Sequence, residues 1–206
     1  MPRQNRVTPR GELIAVPARG LVYANRGCLH DDEGRIRRHH NGQRWIACRL
    51  SFRGWHRSPL MAPGRFTELF FLDEATAFAA GHRPCALCRR EDYNRFLELC
   101  DVRGADQIDQ QLHFERWQDG QQRLHESKFG ALPDGAFVLD DDGSARLVSG
   151  SRLLLWTPNG YTAPVARPFG HTAATVITPP TFVEVLSAGW EGVVPLLHPS
   201  EFTCGS

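Results

Sequence analysis

This 206-residue chain contains no apolar run long enough to span a membrane, and the one near its start, Leu13 to Val16, is too short for the core of a signal peptide. A cytoplasmic protein with no membrane partner is therefore expected. Nucleophile elbows, phosphate loops and dinucleotide fingerprints are absent, which removes several common enzyme classes. There is no internal repeat and no low-complexity tract. Lysine is nearly missing: of the 24 basic residues only Lys128 is not arginine. A G+C-rich genome accounts for that preference but not for where the arginines stand. Residues 1–66 hold thirteen arginines against four acids, whereas residues 101–146 hold five basic residues against ten acids. A basic first third facing nucleic acid is one reading, and a solvated face that offsets the acidic middle is the other.

What is present is an ordinary globular composition, 41% hydrophobic and 23% charged, which at this length folds as one domain or two small ones. Residues 1–12 read as a loose tail. Two apolar runs, 13–16 and 21–24, flank Pro17 and Gly20 in a strand-turn-strand pattern. Residues 25–44 are polar and punctuated by glycine, hence loops, and they carry Cys28, His30, His39 and His40. Residues 45–52 and 67–72 read as strands joined by a basic loop. Tyr93, Phe96, Leu97 and Cys100 recur at helical spacing within 89–100, and 105–117 forms a second helix on which Asp109, His113 and Arg116 share a face, most simply a solvated one. A shorter helical piece follows Asp119 and Gly120. The turn Leu132 to Gly135 divides a first part, residues 1–132, from a β-rich part, residues 133–206. The latter has strands at 136–139, 145–148, 152–156 and 175–178, an irregular connection at 157–171, and a short helix opened by a capping box from Thr181 to Glu184. The fold class is α+β.

The stretch Phe71 to Cys88 organises the rest. Asp73 suits an N-cap, Glu74 favours the positive end of the helix dipole, and Gly81 fits the left-handed residue after the helix. Between them lies a short run of small helix formers, interrupted by Phe78. Arg83-Pro84 then delivers Cys85 and Cys88, a C-x2-C turn that offers two thiolates to one tetrahedral ion. Six cysteines in a reducing compartment point to metal binding or packing rather than disulfides. Cys100 lies on an apolar helix stripe and is read as packing.

Phe71, Glu74-Ala75, Ala77, Ala79-Ala80-Gly81, His82 and Arg83-Pro84-Cys85 with Cys88 together resemble the zinc-binding module of the Ada DNA-repair protein, across residues 22–90. The resemblance implies an Ada-like zinc module extended by helices, with a β-rich unit following it. It also implies that the remaining ligands come from upstream, as C-x3-C or as a His and a Cys. C-x3-C is absent here, so the expected zinc ligands are Cys48, Cys85, Cys88 and His30, with Cys28 as the substitute for His30. His39, His40 and His56 are weaker choices. Zinc is the default for such a sulfur-rich set, and iron can substitute. A closed structural site is preferred over methyl acceptance at Cys48, the chemistry of the repair protein.

The expected function is DNA or other nucleic-acid binding, with Arg35, Arg37, Arg38, Arg44, Arg53, Arg57 and Arg65 on phosphates and Trp45, Trp55 and Phe66 available to stack on bases. An alternative is a small-molecule or nucleotide-modifying zinc enzyme with a pocket between the two parts. There His113, Glu115 and His125 are the catalytic candidates, His113-x-Glu115 being similar to the H-x-E element of zinc deaminases although it follows rather than precedes P-C-x-x-C. A zinc-stabilised protein-interaction module is the third possibility.

Overall fold

A computed structural model describes residues 1–54 and 58–203 and shows two six-stranded sheets with a short helix between them. The first sheet comprises β1 (Gln4–Val7), β2 (Leu13–Ala15), β3 (Val22–Asn25), β4 (Ile46–Cys48) and β5 (Leu69–Phe71). After helix α1 (Glu74–Ala79) the two-residue strand β6 (Arg83–Pro84) completes it, in the order β2-β1-β5-β3-β4-β6. The expected N-terminal tail is therefore part of the sheet: β1 pairs antiparallel with β2 and parallel with β5.

Side chains alternate across a strand, and this sorts the sheet into two faces. Val7, Val22, Ala24, Ala47, Leu69 and Phe71 form one core with Ala77 and Ala80. On the opposite face the registers Arg6↔Phe70, Phe70↔Tyr23 and Tyr23↔Cys48 set four residues in one row across four adjacent strands.

Helices α2 (Arg90–Leu99) and α3 (Ala105–Arg116) follow, then the hairpin β7 (Trp117–Gln118) and β8 (Gln121–Gln122), and strand β9 (His125–Lys128). The helical piece expected after Gly120 does not form. Asp119 and Gly120 both have positive φ, 50° and 81°, the geometry of a two-residue hairpin turn, and the chain returns as a strand. The second sheet adds β10 (Phe137–Leu139), β11 (Ala145–Ser149), β12 (Arg152–Thr157), β13 (Gly160–Ala166) and β14 (Ala173–Val176), in the order β13-β12-β11-β10-β14-β9. Its edge strand β9 thus comes from ahead of the Leu132–Gly135 turn. Strand β13 occupies residues expected to be irregular, and a register shift opposite Leu153 to Leu155 lets it stay paired with β12 despite Pro164. Helices α4 (Pro180–Ser187) and α5 (Ser200–Thr203) close the chain. The expected capping box is replaced: Pro179 is the N-cap of α4, and Glu115 of α3 accepts from Thr181 N (2.9 Å) and Thr181 Oγ1 (2.6 Å). No helix among the described residues is long and apolar enough to cross a membrane.

All six residues of α1 are buried. Asp73 caps it by accepting from Thr76 N at 2.9 Å, and Gly81, at φ 78°, leaves it in the left-handed region. Ala77 faces the first sheet, while Ala75 and Ala79 pack with Leu72 on Phe137, Leu147, Leu154, Tyr161 and Ile177 of the second unit. Phe78, the large residue in an otherwise small helix, reaches Phe96, Phe182 and Trp190, with ring centroids 6.2, 4.7 and 5.6 Å away. It therefore joins α1 to α2, α4 and the C-terminal segment. Phe78→Ala leaves a cavity at this junction, and a urea titration is expected to show a loss of about 3–5 kcal/mol.

Candidate metal centre

Cys48 ends β4 on the outer face of the first sheet, and β6 runs parallel to β4, so the turn after Pro84 brings Cys85 and Cys88 beside it. The three Sγ atoms lie within 4.8 Å of one another, and the residues are 5%, 7% and 7% exposed. Two sulfurs on one tetrahedral zinc, at bonds of about 2.3 Å, stand roughly 3.8 Å apart, so small side-chain rotations suffice for coordination. The turn also carries the amides that stabilise thiolate charge. Leu87 N donates to Cys85 Sγ at 3.4 Å, a further bond comes from Cys88 N, and Arg49 N serves Cys88. Bonding to Cys48 and then to Cys88 pushes the Cys85 thiol down to about 2, and the same contacts with Cys85 and Cys88 push Cys48 up. Cys88 is lowered by Cys48 but raised more by Cys85 and by burial. Three neighbouring thiols cannot all ionise alone, whereas a bound cation removes that conflict. The donor set therefore fits a metal ion.

The fourth expected ligand is not there. His30 is buried with its ring held elsewhere, Nδ1 at 2.6 Å from Thr67 Oγ1 and Nε2 at 3.2 Å from Ala62 O. Its substitute Cys28 directs its sulfur to His30 O at 3.6 Å. The bridge between His30 and Ile36 folds the polar loop back on itself. Among the described residues the group comprises the three cysteines alone. Trp55, His56 and Arg57 lie outside the described residues.

The C-x2-C turn is anchored from behind. Arg83 forms a bidentate, buried ion pair with Asp109 of α3, with both N···O distances at 2.7 Å, and lies over Tyr93 of α2. The face of α3 expected to be solvated is thus its docking face. Arg116 is wholly buried, donating to Gly81 O (2.6 Å) and Gln43 O (2.5 Å). Its guanidinium and that of buried Arg26 lie 4.3 and 4.8 Å from the Trp45 ring centroid, and burial pushes both arginines down to about 9. His82, fully buried, and His40 pack at a tilt against the same indole, with ring centroids 5.3 and 5.5 Å away, so Trp45 is core and not a free stacking surface.

The catalytic candidates do not converge. Glu115 is spent on the start of α4, His113 faces His40 and Trp45, and His125 binds the Glu115 carbonyl through Nε2 at 2.8 Å. The expected phosphate contacts divide as well. Arg35 and Arg37 are tied to Asp31, at 3.0 and 2.7 Å, and Arg44 to Asp106 at 3.2 Å. Arg38, Arg53 and Arg65 are exposed and make no ion pair among the described residues. Arg49 and Arg90, which the clustering by sequence did not single out, stand exposed beside the cysteines. No known family model, curated protein or solved structure matches the chain.

Metal analysis is expected to find one ion per chain, lost in Cys48→Ser and in Cys85→Ser and retained in His30→Ala. A second expectation concerns acid. Burial, then Arg26 and Arg116, hold the His82 imidazole well below its ordinary value. The unfolded chain takes this proton near pH 6.5 and the folded chain does not, so the contribution of His82 to stability is present above about pH 7 and lost as pH falls. Glu74, pushed up to about 7 by burial, works in the opposite direction. The informative measurement is therefore the difference in melting temperature between wild type and His82→Gln, which is expected to shrink from pH 7.5 to pH 5.5.

Proposed function

We propose that the protein binds zinc through Cys48, Cys85 and Cys88 and binds nucleic acid on the surface around these cysteines. The observation that carries this reading is the position of the three sulfurs at the edge of an open basic patch. A cavity of about 280 Å³ next to the site is lined by Cys88, Arg49, Arg53, Arg90, Phe52 and Leu87, with Arg89, Glu91 and Asp92 also on its wall. The three arginines are exposed and in no ion pair among the described residues, while Asp92 at the margin is engaged by Arg89 at 2.7 Å. Guanidinium forks in excess over the carboxylates of Glu91 and Asp92 suit phosphate oxygens.

Zinc is the ion that a compact all-sulfur donor set favours, with one further donor completing the tetrahedron. When bound it supplies a crosslink between β4 and the turn after β6, and the surface arginines on either side inherit that rigidity. Unpaired thiols suit a reducing compartment, which supports a cytoplasmic location on this reading. On this reading the first sheet and α1 form an Ada-like module whose metal is structural. The amides of Leu87, Cys88 and Arg49 support the role of the sulfurs as thiolates, and Arg83 with Asp109 supports a fixed turn.

Fluorescence anisotropy with labelled DNA tests the proposal. Binding is expected at low salt and weakens as salt rises, and Arg49→Gln, Arg53→Gln and Arg90→Gln together reduce the salt slope by about 0.7 to 0.9 per phosphate contact removed. Arg35→Gln with Arg37→Gln is expected to change affinity little, since these side chains are already tied to Asp31. Absence of binding at the lowest salt overturns the nucleic-acid reading, and metal analysis decides the zinc reading separately.

A further inference from the structure

A larger cavity, about 530 Å³, opens on the same face of the first sheet, at the other end of the row that leads to Cys48. Arg3, Arg6 and Arg19 line it together with Leu50, Leu60 and Phe70. No acidic residue contributes to it, and none of its three arginines is in an ion pair among the described residues. Other arginines of the chain do find carboxylates, as Arg35, Arg37, Arg44 and Arg146 show. Arg6 is 7% exposed, and its Nη1 has no hydrogen-bond partner. A Cβ at Gly20 would fall 1.9 Å from Phe71 O and 2.3 Å from that atom, so glycine at this position lets both the Phe71 carbonyl and the guanidinium come close. The Arg6 guanidinium carbon stands 5.7 Å from the Phe70 ring centroid, which turns the cation and the ring toward each other. Burying an arginine with no counter-charge costs free energy that an anionic ligand would offset.

The cavity therefore joins two demands, a concentrated anion and a flat apolar group. Its volume lies in the range of small-molecule sites, about 300 to 1,000 Å³. We propose that this groove takes one nucleotide unit of a single-stranded nucleic acid, with its base against Phe70, Leu50 and Leu60 and its phosphate on Arg3, Arg6 and Arg19. The proposal rests on the nucleic-acid reading above and adds strand selectivity to it. A base in a duplex is stacked on its neighbours and cannot enter, whereas an unpaired base can. Phe70 also packs against the cluster of Tyr23, Cys48, Cys85 and Cys88 and lies edge-on to Tyr23 at 5.8 Å, which places the groove beside the cysteine cluster.

The test compares a short labelled oligothymidylate with a duplex of equal length by anisotropy on the full, metal-loaded protein. The single strand is expected to bind about tenfold more tightly, the scale of one base stacked on an aromatic ring. Phe70→Leu and Arg6→Gln are expected to abolish that preference while leaving duplex binding unchanged. Because Arg6 is buried, the exposed pair Arg3→Gln with Arg19→Gln provides the same test without risk to the fold. Equal affinity of wild type for the two forms, or unchanged single-strand affinity in all of these variants, overturns the groove while leaving the basic patch standing. Thymidine 5′-phosphate displacing the strand at equal concentration overturns the assignment to a strand. Failure to bind either form overturns both readings together.

Discussion

The structure depends on the burial of one helix too short to exist alone. Six residues make less than two turns, far below the length at which a helix holds itself in water. Helix α1 persists because each of its faces meets a different partner: the first sheet through Ala77, the second through Ala75 and Ala79, and the aromatic cluster of α2 and α4 through Phe78. Asp73 at its start accepts from Thr76 N and Oγ1, from Tyr161 Oη at 2.6 Å and from His198 N at 2.8 Å. One carboxylate thus ties the helix to β13 and to the C-terminal segment. Its neighbour Glu74, equally buried, binds Arg89 and Trp190 Nε1. These polar ends are what allow an otherwise apolar helix to be surrounded on all sides.

The position of the cysteines follows from that helix. Gly81 leaves it at φ 78°, and the absence of a side chain there makes room for Arg116, whose Cδ would be 2.4 Å from an added Cβ. Arg83 then enters β6 and is gripped by Asp109, and the chain arrives beside Cys48 with Cys85 and Cys88 facing it. The protein uses its arginines in two different ways around this point. Arg26, Arg83, Arg89 and Arg116 are structural, buried on rings, carbonyls or carboxylates. Arg3, Arg6, Arg19, Arg49, Arg53 and Arg90 line two cavities on the cysteine face. The charge excess of the first third is therefore partly internal scaffold and partly open surface.

Local signals in the sequence were legible where one residue does one job. The N-cap at Asp73, the left-handed Gly81 and the C-x2-C turn could all be read from residue type and spacing, and Cys48 was expected in the same cluster through the family resemblance. So could the mixed α+β class and most strands of the second sheet. The Asp119-Gly120 turn was also written in the sequence, as a two-residue hairpin between short strands, but the polar helix ahead of it obscured the change of periodicity. Strand β1 could not be recognised, because only Val7 of its four residues is apolar and its pairing partners lie 6 to 64 residues away.

What the sequence determined by itself is the set of local conformations and the two thiols delivered by one turn, because these depend on neighbours within a few residues. Only the tertiary structure decided which side chains are free. It removed His30 and Cys28 from the metal cluster by tying them to Thr67 and to their own loop, turned Glu115 into a helix cap, and took Trp45 into the core between two arginines. It also set Arg6, Phe70, Tyr23 and Cys48 in one row, although they are scattered over 65 residues of chain. Register between distant strands has no signature in local spacing, and the composition of an open face is a property of that register.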